Sequence, residues 1–230
     1  AKLDAGRALL YQTARYVDIY KALEDIARER KLTPEERAEM KKFSKLADAF
    51  TPLAKGMNSE YANQNGYDCI QIHGGSGFML EYACQRIYRD ARITSIYEGT
   101  TQLQTVAAIR YVTNGFYSSV IEDYAQMPVA SELESVKARV AAMTEKFNHC
   151  VTLVKEAENQ ELHDLCARHL YEMAADIIMC YLLMQNASKA PELFAQSLQV
   201  FANHSEAEVA KHTSLIERMS AEQVENYRQA

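Results

Sequence analysis

The 230-residue sequence contains no tryptophan and few of the residues that interrupt helices, with four prolines and eight glycines. Alanine, leucine, glutamate and lysine are plentiful, which favours helices, and 48% of the residues are hydrophobic, enough for a sizeable core. An excess of positive charge is also missing. The net charge of −6 argues against a nucleic-acid surface, which needs a basic field. The composition therefore predicts an all-α protein and excludes nucleic acid as a partner.

Long hydrophobic runs and a secretory signal are absent as well. The most apolar run, residues 177–184, is too short to cross a bilayer, and no signal-peptide pattern is visible at the first residues. No basic amphipathic helix is evident, so membrane contact is not expected. The five cysteines are an odd number without a C-x-x-C pair, which indicates free thiols in a reducing compartment.

The first half of the chain carries the pattern of long helices. Apolar residues recur at helical spacing from residue 2 to about residue 30. Thr33, Pro34 and Glu36 then form a start signal, because Thr33 can cap the helix and Glu36 can bind back to the cap N–H. Pro52 should kink or break this second helix, since proline lacks an N–H and crowds the preceding turn.

Glycines punctuate the next stretch. The residues His73–Gly77 should form a loop, because three glycines in four residues permit positive φ angles. A short helix over residues 81–89 should follow. Thr100 can cap a longer helix over residues 101–112, and Asn114-Gly115 should end it.

The second half of the chain is almost free of glycine and predicts a helical bundle. Residues 116–129 read as a tyrosine-rich connector, so we predict one domain over residues 1–125 and a second over 126–230. The helix over residues 161–186 has the most continuous apolar face and should be buried. The predicted helices of this half are 130–157, 161–186, 191–203 and 205–227.

No metal site is predicted. In the histidine- and cysteine-containing sequence His163-x-x-Cys166-x-x-His169, helical spacing rotates the outer pair apart, and no fourth ligand is evident. The adjacent side chains of His149 and Cys150 diverge. The glycine loop also lacks the preceding strand of a dinucleotide-binding fingerprint.

Glu98 is the residue whose position most suggests chemistry. It stands between Tyr97 and Gly99, where a turn should lead into the helix capped by Thr100. A carboxylate held by backbone at such a junction is costly to desolvate unless something offsets the cost. The alternative is a surface carboxylate stabilised by the helix dipole, and the residues Tyr97–Thr100 taken alone favour that alternative.

The stretch from Gln71 to Gln104 closely resembles the C-terminal signature of the acyl-CoA dehydrogenase family. The resemblance extends less strongly back to about Leu3 and forward to about Val112, and residues after Pro128 resemble an extra helical domain of some longer members. The matching blocks are Gln71-Ile72-His73-Gly74-Gly75-Ser76-Gly77, Glu81-Tyr82, Arg89-Asp90-Ala91-Arg92-Ile93 and Ile96-Tyr97-Glu98-Gly99-Thr100, with Gln102 and Gln104 behind them.

The resemblance implies a flavoenzyme that oxidises acyl-CoA to trans-2-enoyl-CoA. Glu98 would be the base that removes the α-proton, and its backbone N–H would help bind the thioester carbonyl. Tyr97 and Gly99 would line the acyl pocket, and Arg89 and Asp90 would form an ion pair. The positions implied to contact FAD are Gln71, Gly74 and Gly75, toward a neighbouring subunit's FAD, and Thr100 and Gln102, at the flavin nucleotide.

The resemblance also implies partners and a wider context. We expect an acyl-CoA substrate, electron-transfer flavoprotein as oxidant, a homodimer or homotetramer, and a location in the bacterial cytoplasm or mitochondrial matrix. The family's N-terminal helical domain and β-domain have no counterpart in these 230 residues. We therefore expect the chain to be part of a longer protein and to be colourless and inactive alone. An acyl-CoA oxidase and a non-catalytic helical assembly module are the alternatives.

Overall fold

The computed structural model describes residues 1–229, which form ten α-helices and one 3₁₀ turn. No strand occurs in these residues, and the predicted all-α class is confirmed. The helices are α1 (Lys2–Glu29), α2 (Pro34–His73), α3 (Gly75–Phe78), α4 (Ala83–Thr94), α5 (Thr101–Thr113), α6 (Phe116–Ala125), α7 (Glu134–Glu156), α8 (Gln160–Lys189), α9 (Pro191–Arg218) and α10 (Ala221–Gln229), with the 3₁₀ turn Ser131–Leu133 before α7.

The start of α2 is the predicted capping box. Thr33 Oγ1 accepts a hydrogen bond from the Glu36 backbone N–H at 3.2 Å, and the Thr33 N–H donates to Glu36 Oε2 at 2.8 Å. Arg30 adds a bidentate pair to the same carboxylate, at 2.6 and 2.8 Å. This pair, together with the Thr33 N–H, lowers the pKa of Glu36 to about 2. The local sequence therefore fixes the turn between the first two helices.

Of the two predicted effects of Pro52, the break is wrong, because α2 continues through the proline, and the kink stays a prediction. Tyrosine hydroxyls from other helices reach the carbonyls around the proline. Tyr117 Oη donates to the Ala49 carbonyl at 2.6 Å, and Tyr171 Oη donates to the Pro52 carbonyl at 3.0 Å. Gly56, one turn later, is needed for this approach, since a Cβ there would lie 2.1 Å from Tyr171 Oη. Tertiary packing thus keeps the helix intact where proline would interrupt it.

Helix α4 runs antiparallel to α2 and carries the chain back along it. Near the C-terminal end of α2, Cys69 Sγ lies 3.3 Å from Cys84 Sγ at the start of α4. Two turns earlier on α2, Asn63 Nδ2 donates to the Ala91 carbonyl at 3.3 Å near the end of α4. The returning chain therefore emerges beside the middle of α2.

The connections around α4 differ from their predictions. The predicted loop over His73–Gly77 reduces to one left-handed residue, Gly74 (φ 59°), because α3 begins directly after it. Helix α4 begins and ends later than the predicted residues 81–89. No ion pair joins Arg89 to Asp90 within the described chain.

The predicted residues at both ends of helix α5 are confirmed, and the predicted connector after it is wrong. Thr100 Oγ1 accepts from the Leu103 N–H at 3.3 Å, so the predicted cap is confirmed. Gly115 (φ 77°) follows the helix as the expected left-handed residue. The predicted connector after it is wrong, because Phe116–Ala125 is helix α6, with Tyr117 and Tyr124 buried. Its tyrosines belong to the core.

The second half contains three long helices, α7, α8 and α9. As predicted, α8 is the buried one, and nearly every residue from Leu170 to Met184 is inaccessible to solvent. The predicted division of the last part at residue 204 is wrong. Helix α9 is continuous to Arg218, because its buried face proceeds at helical spacing through Phe201, Ser205 and Val209.

One cluster of buried hydrophobic residues draws side chains from α1, α2 and α5–α9. Helix α8 packs against helices from both halves of the chain. The boundary between residues 125 and 126 stays a prediction. None of the described helices combines the length and apolar content that spanning a bilayer requires.

Candidate functional site

The turn between α4 and α5 has an unusual backbone. Glu98 (φ 52°) and Gly99 (φ 94°) both lie in the left-handed region. Glycine adopts such angles freely, but for a glutamate they cost on the order of 1 kcal/mol. A backbone hydrogen bond closes the turn, because the Thr101 N–H donates to the carbonyl of the buried Ser95 at 3.2 Å. Strain at a single charged residue is typical of functional turns.

Side chains from α2 and α5 hold this turn in place. The Lys55 ammonium, in the middle of α2, donates to the Gly99 carbonyl. Gln104 Nε2 lies 3.3 Å from the Gly99 carbonyl and 3.4 Å from that of Glu98. A side chain at Gly99 would come within 2.7 Å of Gln104 Nε2. The left-handed conformation is therefore tethered on both sides.

Tyr97 and Glu98 lie at the edge of a cavity of about 460 Å³ between α1, α2 and the turn. Its surface is mostly apolar, and the Glu98 side chain is exposed. Within the described chain, no hydrogen bond uses the Glu98 backbone N–H. The cavity is also lined by Leu10, Thr13, Thr51, Ala54, Lys55, Asn58, Ser59, Ala62 and Thr94. The arrangement presents a carboxylate and a free backbone donor beside an apolar recess.

The sequence-predicted cofactor residues form two separate groups. Thr100 and Gln102 are exposed at the N-terminus of α5, next to Glu98. Gln71, Gly74 and Gly75 are exposed at the C-terminal end of α2. Sixteen residues separate Lys55 from Gln71, which corresponds to about 24 Å along a helix axis. This chain therefore does not bring the two groups together.

The far group lies on an open, apolar surface. A Cβ at Gly74 or Gly75 would meet nothing within 4 Å. Ile72, Phe78 and Leu80 beside them are 76–84% exposed. Exposed apolar side chains at this density mark a surface that binds another molecule or chain.

A second, smaller cavity of about 210 Å³ lies where α1, α2, α8 and α9 meet, and it is lined by charged groups. Asp176 is buried and accepts from Tyr61 Oη at 3.1 Å. His212 Nε2 lies 3.1 Å from Glu172 Oε2, and its Nδ1 lies 2.9 Å from His169 Nδ1. The two halves of the chain therefore meet across a cluster of titratable side chains.

Burial and pairing shift the pKa values of these groups in opposite directions. Burial raises the pKa of Asp176 to about 7, with a further contribution from the Glu172 charge, although the Tyr61 hydrogen bond opposes it. The nearby His212 ring and the hydrogen bond from Arg168 outweigh desolvation and lower the pKa of Glu172 to about 2. Burial, with the neighbouring His212, lowers the pKa of His169. None of these groups contacts Glu98, so they concern stability.

Several residues at these sites were missed by the sequence reasoning. Lys55 carries no local signal, because it lies 44 residues from the Gly99 carbonyl that it binds. The Cys69-x-x-x-His73 spacing is a signal, since residues four apart share a helix face, and the structure brings Cys84 to the same place. The residues His163, Cys166 and His169 do not come together as a ligand set.

Two family models match adjacent parts of the chain. The model described as "Acyl-CoA dehydrogenase, C-terminal domain" matches residues 26–112, and "Acyl-CoA dehydrogenase C terminal" matches residues 113–224. The chain belongs to the acyl-CoA dehydrogenase family. The family resemblance predicted from Gln71–Gln104 is thus confirmed over most of the sequence.

Similar proteins include dehydrogenases and a reductase of CoA thioesters. A 3-methylmercaptopropionyl-CoA dehydrogenase of Ruegeria pomeroyi is 34% identical over 145 residues, 62% of this chain and 22% of that protein. Caffeyl-CoA reductase-Etf complex subunit CarC of Acetobacterium woodii is 34% identical over 103 residues, 45% of this chain and 21% of that protein.

The crystal structure of an acyl-CoA dehydrogenase complexed with FAD from Bacillus anthracis has a similar fold. Its TM-score is 0.69 at 22% sequence identity, and the likeness covers 97% of this chain and 41% of that one. The chain spans about a fifth of the length of the two curated relatives described above.

Proposed function

We propose that this chain supplies the catalytic base and part of the cofactor site of an FAD-dependent acyl-CoA dehydrogenase, which converts acyl-CoA to trans-2-enoyl-CoA. One observation carries the proposal. Glu98, the carboxylate in the family signature, has a strained left-handed backbone conformation and lies at the edge of an apolar cavity. The tethers from Lys55 and Gln104 hold that strain in place.

The proposed role of Glu98 is to remove a proton from the substrate α-carbon. An α-C–H bond is a very weak acid, so the base and the developing enolate both need help. An acyl chain that fills the cavity covers Glu98 and excludes water from the reacting carboxylate. The unpaired Glu98 N–H is available to the thioester carbonyl, where one preorganised donor stabilises the transition state by about 3 kcal/mol. Tyr97 lines this cavity, whereas Gly99 does not and instead holds the turn through its carbonyl.

The residues assigned to FAD fit a polar cofactor with phosphate groups. Thr100 and Gln102 stand at the start of α5, where backbone N–H groups favour an anion. Gly74 and Gly75 leave the backbone of the other group open to close approach. When bound, FAD supplies the acceptor for the hydride that leaves the substrate β-carbon.

The separation of the two FAD groups supports a subunit interface. Because about 24 Å of helix lies between Lys55 and Gln71, we assign Thr100 and Gln102 to one flavin and Gln71, Gly74 and Gly75 to that of a neighbouring subunit. A homodimer or homotetramer follows from this assignment. The exposed apolar side chains of Phe78 and Leu80 are suited to such an interface.

Partner and location remain proposals. We propose electron-transfer flavoprotein as the oxidant, and one similar protein is a subunit of a reductase–Etf complex. That protein is a reductase, so the same base position is compatible with proton transfer in either direction. The bacterial cytoplasm or mitochondrial matrix is the proposed location, in line with five free cysteines.

The test is Glu98→Gln in the complete enzyme. We expect the rate of α-proton removal, followed as exchange of substrate α-deuterium and as dehydrogenation with an artificial electron acceptor, to fall about 10²- to 10⁴-fold. The matched control is Glu81→Gln, an exposed carboxylate of the same signature, which should keep wild-type rates. Near-normal exchange in Glu98→Gln would refute the base assignment.

Two measurements separate the alternatives. Hydrogen peroxide in stoichiometric yield would favour an acyl-CoA oxidase over a dehydrogenase. For the isolated chain we expect no flavin absorbance. If the complete protein also binds no flavin and oxidises no acyl-CoA, the helical assembly module becomes the better interpretation.

A further inference from the structure

The side chains of Cys69, His73 and Cys84 converge at the end of α2. One potential ligand atom from each of the three lies within 4.8 Å of the other two. Cys69 and His73 are four residues apart on one face of α2, and Cys84 comes from the first turn of α4. The set lies at the C-terminal end of α2, whereas the Glu98 turn lies beside the middle of that helix, and it does not depend on the proposed function.

We propose that Cys69, Cys84 and His73 form a zinc site that clamps the end of α2 to the start of α4. Two thiolates and one imidazole are a donor set that zinc prefers, and three protein ligands leave a fourth position for water. Binding breaks two S–H bonds and forms two Zn–S bonds, and both protons pass to solvent. Zinc undergoes no redox change, so no oxidant is required.

The sulfur spacing favours a metal over a disulfide. The two Sγ atoms are 3.3 Å apart. Thiolates on one tetrahedral zinc lie about 3.8 Å apart, given Zn–S distances of about 2.3 Å, so they must separate by about 0.5 Å. A disulfide bond of about 2.05 Å would require them to approach by about 1.2 Å. The smaller movement is the one that accommodates zinc.

The surroundings of the three residues suit ligation. His73 Nδ1 lies 2.9 Å from the Cys69 carbonyl. The same nitrogen lies 4.0 Å from Cys69 Sγ. We therefore assign Nδ1 as the ligand atom, which requires it to leave the carbonyl and the ring proton to sit on Nε2. Cys84 is the second residue of α4. His73 is exposed and Cys84 is 5% exposed, so a cation can enter from the histidine side.

The structural effect of zinc would be local. Ligands on α2 and α4 enclose the segment of residues 74–82, which contains Gly74, Gly75 and helix α3. A bound ion would fix the two ends of this segment relative to each other. Its conformation would then depend on metal, whereas the turn at Glu98 would not.

The test uses the purified chain, stripped of metal and kept reduced with a phosphine. Cobalt(II) is added as a spectroscopic substitute for zinc, and zinc affinity is measured by competition with a chromophoric chelator. We expect one metal per chain and a thiolate-to-cobalt charge-transfer band. Cys69→Ser, Cys84→Ser and His73→Ala should each weaken zinc binding by more than about tenfold, the effect of losing even an outer-sphere partner.

Cys166→Ser is the matched control, because this buried thiol lies in the core beside Met219 and should leave zinc affinity unchanged. Circular dichroism identifies any variant that fails to fold, and half-buried Cys69 is then the informative position. The proposal is overturned if wild type binds zinc no more tightly than Cys69→Ser, or if cobalt gives no thiolate band. A Cys69–Cys84 disulfide in air, with no zinc binding by the reduced protein, would overturn it too.

Discussion

Asp176→Asn should change how the stability of this protein depends on pH. Asp176 is buried at the junction of the two halves of the chain, with Glu172 and Glu208 nearby and Lys2 as a cationic neighbour. Burial raises the pKa of Asp176 from its ordinary value of 3.8 to about 7. A raised carboxyl pKa means that the folded state holds a proton that the unfolded state releases. Stability is therefore greatest below the unfolded pKa and is lost as pH rises through the folded pKa.

The magnitude follows from the shift. The difference between about 7 and 3.8 corresponds to about 4 kcal/mol, at about 1.4 kcal/mol for each pKa unit. About 3 kcal/mol of it falls between about pH 5 and about pH 8. Glu172 contributes with the opposite sign, because its pKa is lowered to about 2, so its stabilisation is lost only in more acidic solution.

The assay is urea unfolding of wild type and Asp176→Asn across this pH range. Asparagine keeps a carbonyl that can accept from Tyr61 and has no proton to release. We expect the wild-type free energy of unfolding to fall relative to the variant by up to about 3 kcal/mol as the pH rises. Histidines with lowered pKa values, such as His169, titrate in the same range, and the comparison cancels their contribution.

The exposed Asp48 on α2 provides the control, since Asp48→Asn should give a pH profile parallel to that of wild type. If Asp176→Asn is also parallel to wild type, Asp176 does not hold a proton in the folded state. The reasoning from burial would then be refuted, and a cation or ordered water in the cavity would have to stabilise the carboxylate.

Two further predictions concern helix α2. Thr33→Ala removes the Oγ1 acceptor of the capping box and should lower the free energy of unfolding by about 1 kcal/mol, whereas Thr33→Ser should retain it; equal stability of the two variants in urea would contradict the cap. Gly56→Ala gains about 1 kcal/mol of helix propensity, but its Cβ would lie 2.1 Å from Tyr171 Oη. Overpacking of this kind costs about 1–3 kcal/mol. Loss of the hydrogen bond from Tyr171 to the Pro52 carbonyl costs about 1 kcal/mol more. We expect net destabilisation in thermal unfolding, with Gly75→Ala, which has open space around it, as the control.

Local signals were sufficient where neighbouring residues satisfy each other. Thr33 and Glu36 bind each other's backbone within one turn, and Thr100 caps its own helix, so sequence alone predicted both starts. Pro52 was misjudged because the groups at that turn bind Tyr117 and Tyr171, which lie far away in sequence. No local pattern reports such a contact.

The distinction between local contacts and contacts distant in sequence also applies to the second half of the chain and to the Glu98 turn. The helix predicted to end at residue 203 continues to Arg218, because the buried face of α9 runs on at helical spacing past that point. The position of Glu98 was predictable from the family signature. Its left-handed backbone and its tether to Lys55 were not, because they depend on how α4 returns along α2.

The length of α2 has a consequence for which changes the chain can tolerate. Lys55 and Gln71 sit on one uninterrupted helix, so inserting a single residue between them would turn one end about 100° against the other and lengthen it by about 1.5 Å. Substitutions on its exposed face leave that relation intact. The stretch between the Glu98 turn and the Gly74 end should therefore accept changes of residue far more readily than changes of residue number.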